Sequence, residues 1–475
     1  MAQKSTRSPF DIPLFNQKQW NIALMVLAFM LCVRVGVDYA LYQNLPFEEP
    51  GEIEALVISQ YQKHKNAKPY WVLKLSSNTH TLYTTSKEDL KNLQGRKIRL
   101  YGKINSQKDC SFLQYFRSCF FVGFSISTLP QRESTAPIKA YIASQHTKQS
   151  ANEHTSQATN TNHAGLFSAL FLATPLPKAW RDVSNTLGLA HIFAISGFHL
   201  GIISFVLLVL LTPPYRALQR RYFSYRNEAY DLGAIVLILL FGYLVILDFA
   251  PSFLRAFVMA AVGFALYLSG LKLVSFSLLG LCALLCAIAF PNVAFNRGFI
   301  LSVAGVFYIF VILRYMLEPS HKPDSTAQNL HANPAQDSTN NTAANYGAWA
   351  RILLRVLWLH VGVFLMIMPV VHVFFPYFSP WQLVSIPVSM AFVVLFPLAI
   401  VLHIFGVGGT LDPWLDMVLR LEIESVDIIT PWWFLCAYLG ASVWAMFSRA
   451  GYYALLLLAT GFYGVCLWAY GTGEI

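Results

Sequence analysis

Long apolar runs separated by short charged connections set the plan of this chain. Runs of roughly 18 or more apolar residues, the length that crosses hydrocarbon, recur near 21–41, 189–212, 231–249, 254–271, 273–290, 298–315, 352–375, 382–405, 431–447 and 452–470. They predict a polytopic α-helical membrane protein of about ten spans. Between the first run and the second the pattern changes. From 52 to 127 the segments EIEALVIS, YWVLKLSS, HTLYTTS, KIRLYGKI and FFVGFSIS are short, rich in β-branched and aromatic residues, and bounded by turn-formers or charges. Five such strands suit a small β-barrel.

The remaining segments divide the chain into units. Residues 1–45 form a tail and a first anchor, 46–130 the barrel, and 131–163 a stretch so polar that it predicts a flexible linker. In that linker His146, His154 and His163 are scattered, which favours solvation over metal binding. Residues 164–475 form the membrane domain. Within it 164–188 is interrupted by Pro175 and Pro177 and continues as the amphipathic KAWRDVSNTLG, which predicts an interfacial helix. Residues 411–429 share that character, lying along a membrane face or plugging a cavity. The polar stretch 318–347 carries no motif.

Composition fits a membrane protein: 56% of the 475 residues are hydrophobic, 12% are charged, and mean hydropathy is +0.49. An ordinary soluble domain carries about 25% charge. The first run follows Lys4, Arg7 and Lys18 and has no small-x-small site after it, which predicts an uncleaved anchor with a cytoplasmic N-terminus. Arg34 and Asp38, four apart, share one face of that helix. The short loop with Arg216, Arg220, Arg221 and Arg226 is a positive-inside signal, so the span before it enters the cytoplasm. Residues between these anchors are then exported. Cys110 and Cys119 fall there, where a disulfide persists, and a bridge between them is expected. The other five cysteines sit in apolar runs as packing residues.

The exported barrel is basic. Between residues 48 and 117 twelve Lys and Arg face seven Asp and Glu, with aromatics interleaved. Stacking rings beside cations hold single strands without reading sequence. The candidates are Lys63, Lys65, Tyr70, Trp71, Lys74, Arg96, Lys97, Arg99, Tyr101 and Lys103. The segment NLQGRKIRLYGKI has the alternation of a strand in an OB-like barrel, a fold that binds oligonucleotides. The bland alternative is a basic domain whose aromatics fill its own core.

In the membrane domain polar groups concentrate at LAHIFAISGFHLG, LDFAPSFLRAF, FNRGFILSVAG and the region from His360 to Ser389. Intramembrane polarity marks sites or pathways. Ser196 and His199, three apart on a helix, could form a nucleophile and base. Their shared helix gives poor geometry, however, and no orienting carboxylate follows. His191 and His199 lack two further metal partners, so no metal and no cofactor is expected. Small Gly197 allows close helix approach. A polyanion channel needs weak, repeated polar contacts, which His191, Ser196, Gly197, His199, Arg255, Arg297, Ser302, His360 and His372 could supply.

Taken in order, these motifs resemble the ComEC-type competence proteins, inner-membrane channels for DNA uptake. The signature GxAHxxAISGxHxG is matched by GLAHIFAISGFHLG from Gly188 to Gly201. The PSxxRA turn is matched by Pro251, Ser252, Arg255 and Ala256. The GFxLSxxAxxG span is matched by Gly298, Phe299, Leu301, Ser302, Ala304 and Gly305, with Ile300 where the family carries Gln. The resemblance implies translocation of single-stranded DNA across the bacterial inner membrane in natural transformation. It also implies a periplasmic DNA receptor and a cytoplasmic translocase or single-strand-binding proteins as partners. The chain contains no HxHxDH motif, so it resembles a short form without the family's nuclease domain, and a separate nuclease is expected. Without GxxxxGK[ST], any ATP-driven motor is a partner as well. The competing function is a small-solute or lipid-linked transporter with a basic periplasmic scaffold; an intramembrane hydrolase is third.

Overall fold

The structure, a computed structural model, describes residues 17–47, 49–65, 68–77, 80–86, 93, 96–104, 110–115, 118–129, 135–150, 157–193, 197–247, 251–268, 276–289, 297–317, 340–421 and 423–472. The first helix, α1 (Gln17–Gln43), leads into a sheet of β1 (Gly51–Lys65), β2 (Lys68–Ser77), β3 (His80–Ser86), β4 (Lys97–Lys103), β5 (Cys119–Phe120) and β6 (Val122–Thr128). The spatial order is β5-β3-β2-β1-β4-β6, with β3 and β5 parallel and the other pairs antiparallel. Only Phe121 separates β5 from β6. One continuous segment therefore pairs with β3 at one edge and β4 at the other, curling the sheet towards closure. The expected five runs are five strand paths, the last of them divided.

Alternation decides the faces. In β4, Ile98, Leu100 and Gly102 point inward while Lys97, Arg99 and Tyr101 point out. A Cβ on Gly102 would lie 2.0 Å from the Val122 carbonyl oxygen, so this crossing of β4 and β6 requires glycine. The core gathers Val57, Leu73, Leu75, Leu82, Ile98, Leu100 and Phe121, and Tyr42 from the end of α1 enters it. Tyr42 donates to the Cys110 carbonyl at 2.7 Å. A short helix, α2 (Phe112–Tyr115), lies between Cys110 and Cys119, which form a disulfide with Cα atoms 5.4 Å apart.

After the sheet come α3 (Ala136–Ser150), α4 (Gln157–Leu172), α5 (Lys178–Thr186), α6 (Ala190–Phe193), α7 (Gly197–Tyr222), α8 (Glu228–Ile246), α9 (Pro251–Leu268) and α10 (Phe276–Ala289). The last third holds α11 (Arg297–Leu317), α12 (Asn340–Val371), α13 (Ser385–Ile404), α14 (Asp412–Leu419), α15 (Trp432–Ala445) and α16 (Arg449–Thr472). Among the described residues seven helices are long and apolar enough to cross a membrane, and three apolar helices are shorter: 256–265, 276–288 and 432–445.

The expected flexible linker is corrected. Most of 131–163 is helical, in α3 and the start of α4, and His146 and His163 are 0% and 1% exposed. Their burial follows from a second excursion of the chain. Two short strands, β7 (Tyr377–Phe378) and β8 (Val426–Asp427), pair directly, so the segment between them leaves and returns to one place. That excursion contains α13 and α14, and it packs on the one formed by α3–α6. Their shared core includes Leu166, Phe167, Trp180, Ile192, Phe392 and Phe396, with Leu415 and Val418 against it. The amphipathic 411–429 segment thus has a packed face, with Asp412 buried.

The bridge closes a short loop beside the barrel core, which is worth roughly 2–3 kcal/mol in the entropy account. Replacing Cys110 and Cys119 by Ser should lower the stability of the β-unit by that amount, read as earlier loss of its β-type circular dichroism on heating. Quantitative thiol labelling of both cysteines in unreduced wild-type protein would rule the bridge out.

Candidate functional site

The Gly188–Gly201 stretch begins with Gly188 at φ +67°, a conformation that favours glycine. Gln382 packs against it and donates from Nε2 to the Tyr377 carbonyl at 2.8 Å. Next, His191 on α6 lies with Nε2 3.4 Å from the Ser389 hydroxyl of α13. Ser389 in turn donates to the Ser385 carbonyl at 2.5 Å. Ser196 lies outside the described residues. Gly197 opens α7 against α9, where an added Cβ would meet Ala256 at 3.8 Å.

His199 is 1% exposed and packs edge-on against the stacked pair Phe392 and Phe396, with ring centroids 5.3 and 4.9 Å away. Its expected position on an open passage is corrected, because aromatic rings fill the space beside it. It belongs to the packed seam between α7 and α13. A cavity of about 310 Å³ is lined by Ala173, Leu176, Arg181, Ser184, Asn185 and Phe193, among others.

The other expected channel residues lie elsewhere. Arg297, exposed at the start of α11, donates to the Phe374 carbonyl at 3.4 Å. His372, close by in sequence, is buried between Phe378 and Phe462, which also corrects its expected exposure to a lumen. His360 uses Nδ1 to donate to the Val356 carbonyl of its own helix at 2.8 Å. Ser302 is exposed on α11. Arg255 falls on α9, with its side chain outside the described residues.

The β-unit sorts its candidates into two patches. Near the β1–β2 end, Lys63 lies over the Tyr61 ring at 5.8 Å and is register partner of Tyr70, while Trp71 is paired with Gln62. Lys74 and Tyr83 are cross-strand partners on β2 and β3. Burial, then the neighbouring Arg297 guanidinium, lower the Lys74 ammonium below its ordinary value. Tyr83 senses both Tyr61 and Arg297. A strip of cations and rings therefore runs from β1 to the first residue of α11. The second patch, on β4 and β6, presents Arg96, Lys97, Arg99 and Tyr101, with Tyr101 against Phe124 at 6.3 Å. Arg99 is bonded to Glu54 at 2.9 Å and lies 3.8 Å from Glu52. Lys103 is half-buried, and the Lys65 side chain lies outside the described residues.

A third group escaped the sequence reading. His146 Nδ1 faces both carboxylate oxygens of Asp412, at 2.8 and 3.1 Å, and its Nε2 lies 3.3 Å from Nε2 of His403. His403 Nδ1 donates to the Ala399 carbonyl at 2.7 Å. His163 lies 3.5 Å from Asp412 and 3.2 Å from Asp416. Burial lowers the pKa of His163 more than the two carboxylates raise it. Gln145 ties the group together, donating to the His403 carbonyl and accepting from the Gly408 amide, each at 2.9 Å. The available signal was three histidines in an unusually polar stretch; their acidic partners lie more than 240 residues away.

A family model described as Competence protein matches residues 173–470, from the cavity lining to the last helix. No curated protein and no solved structure matches the chain.

The packing of His199 makes its substitutions diagnostic. His199→Glu places a carboxylate against two stacked phenylalanines, and an unpaired buried charge costs about 3 kcal/mol or more. His199→Phe should keep the purified protein's melting temperature close to wild type, and His199→Glu should lower it sharply. Equal melting temperatures for the two variants would put His199 in water after all.

Proposed function

The chain belongs to the competence protein family, and on that premise we propose that it is an inner-membrane channel passing single-stranded DNA into the cytoplasm during natural transformation. The observation that carries this reading is the family match across α7 to α16, together with the Gly188–Gly201 signature inside it. The N-terminus is cytoplasmic and the β-unit periplasmic, a reading supported by the arginines of the α7–α8 loop. The β-unit is OB-like, supported by its curled sheet and its parallel β3–β5 closure.

DNA is received on the rings and cations of this unit. The strip Lys63, Tyr61, Tyr83 and Lys74 then hands it to Arg297 at the head of α11. Stacking suits any base, and phosphate contacts are sequence-independent. The residues His191, Ser196 and Gly197, with Arg255 and Ser302, are proposed to border the passage. His360 is proposed for a second wall on α12. A DNA receptor delivers the strand, a translocase or single-strand-binding proteins draw it in, and a separate nuclease degrades the other strand.

Deleting the gene should abolish transformation while labelled DNA still accumulates in the periplasm; entry into the cytoplasm without this protein would sink the proposal. Binding of single-stranded DNA to the purified chain should weaken with salt, with a log–log slope of about −0.7 per phosphate contacted. Tyr101→Ala should cost about 1–3 kcal/mol of that binding, the worth of one stacked base. Salt-independent binding would take the β-unit off the DNA path.

A further inference from the structure

The cluster that joins α3 to the α13–α14 excursion poses a proton-counting problem. A carbonyl oxygen only accepts, so His403 must carry its proton on Nδ1, where it faces the Ala399 carbonyl. If His403 is neutral, its Nε2 is a bare lone pair. That lone pair points at Nε2 of His146 across 3.3 Å, so His146 must carry a proton on Nε2. The other nitrogen of His146 faces the Asp412 carboxyl at 2.8 Å, and a proton must lie between those two atoms as well. The chain from Ala399 through His403 and His146 to Asp412 is complete with three protons. Two neutral imidazoles and an ionised carboxylate supply only two.

From this geometry we infer that His146, His403 and Asp412 form a buried binding site for one additional proton, which locks α3 onto the α13–α14 excursion. Written as charges, the loaded site is an imidazolium on His146 beside the Asp412 carboxylate, with no net charge. Without that proton the site carries one negative charge in a buried position, and two lone pairs oppose each other. Burial makes both costly. No set of three His, Cys, Asp or Glu groups converges as metal ligands among the described residues.

Every packed element contributes to this setting. From α3 come His146 and Gln145, and the Tyr141 hydroxyl reaches the Ile404 carbonyl at 3.4 Å. From α4 come His163, facing Asp412 and Asp416, and the Phe167 ring stacked on His146 at 5.0 Å. From α5 comes Trp180, 6.1 Å from His163, whereas Arg181 is turned to the Leu176 carbonyl. From α13 comes His403, and α14 brings Asp412 and Asp416. An added Cβ at Gly408 would lie 2.6 Å from both Gln145 Oε1 and His403 Nε2, so a larger residue there would displace one or both of these side chains. The lock matters because α13 carries Ser389, Phe392 and Phe396 against His191 and His199 further along its length.

The test uses the full-length chain in lipid nanodiscs and involves no DNA, so its outcome is independent of the channel proposal. Hydrogen exchange in residues 139–147, corrected for intrinsic rates, is compared between about pH 6 and about pH 9, across the ordinary imidazole range. Wild type should lose protection at the high end by roughly tenfold or more, the worth of one charge-assisted hydrogen bond. In His403→Gln the side-chain amide donates to a neutral His146, so the extra proton is not needed and protection should persist at high pH. Nitrogen-15 spectra of histidine-labelled wild type give the second readout. They should show one imidazolium at neutral pH that His146→Asn removes and His360→Asn keeps. Identical pH profiles for wild type and His403→Gln, or spectra in which His146→Asn removes no imidazolium, would overturn the site.

Discussion

Every hydrogen-bonding group that this chain carries into apolar surroundings must find its partner inside the protein, because lipid offers none. That constraint explains the small-scale chemistry of the helices. Ser204, Thr212, Ser389, Ser442 and Thr460 each donate to the carbonyl four residues back. His360 and His403 do the same through Nδ1. Arg34 and Asp38 of α1 meet each other at 3.0 Å. Where a polar group cannot be met within its own helix, the fold brings a distant one. Asp412 meets His146 across 266 residues, and Gln145 bridges Gly408 and His403.

The same constraint separates what was legible in the sequence from what was not. Apolar length and strand alternation are local signals, so the helices of the membrane domain and the faces of β4 could be read directly. The Arg34–Asp38 pair could be read for the same reason, since its spacing is one helical turn. The stretch 131–163 could not. Its composition is the same whether water or a buried partner satisfies it, and the partners are supplied by the far end of the chain. The two buried histidines of the expected passage failed differently. His199 and His372 are polar residues in apolar helices, but Phe392, Phe396, Phe378 and Phe462 close over them, and ring packing across elements leaves no periodic trace.

Charge pairing across strands limits the reading of the β-unit in a similar way. A count of basic residues treats Arg99 and Lys97 alike. Register makes them different: Arg99 lies opposite Glu54, and Lys97 opposite Leu56. An exposed ion pair contributes little stability, yet it gives the Arg99 charge a carboxylate to share with any ligand. The cations of the first patch adjoin aromatic rings and lead towards Arg297, where two like charges, Lys74 and Arg297, are near enough to disfavour one another. An anion between them would relieve that repulsion, whereas in the second patch Glu54 already does so for Arg99.

These features converge on α13. Its first half forms the seam with α6 and α7 through Ser389, Phe392 and Phe396, and its last turn holds His403 in the cluster with α3. Both holds lie on one continuous 20-residue helix, with Pro397 between Phe396 and His403 as the place where it can bend. An opening of the seam at His191 and His199 is therefore either passed along the helix to His403, about five helical turns from the helix start, or absorbed at Pro397. The strand pair β7–β8 fixes where the excursion leaves and returns. The polar cluster and the aromatic seam are in this sense two holds on one lever, and the state of the first bears on the second.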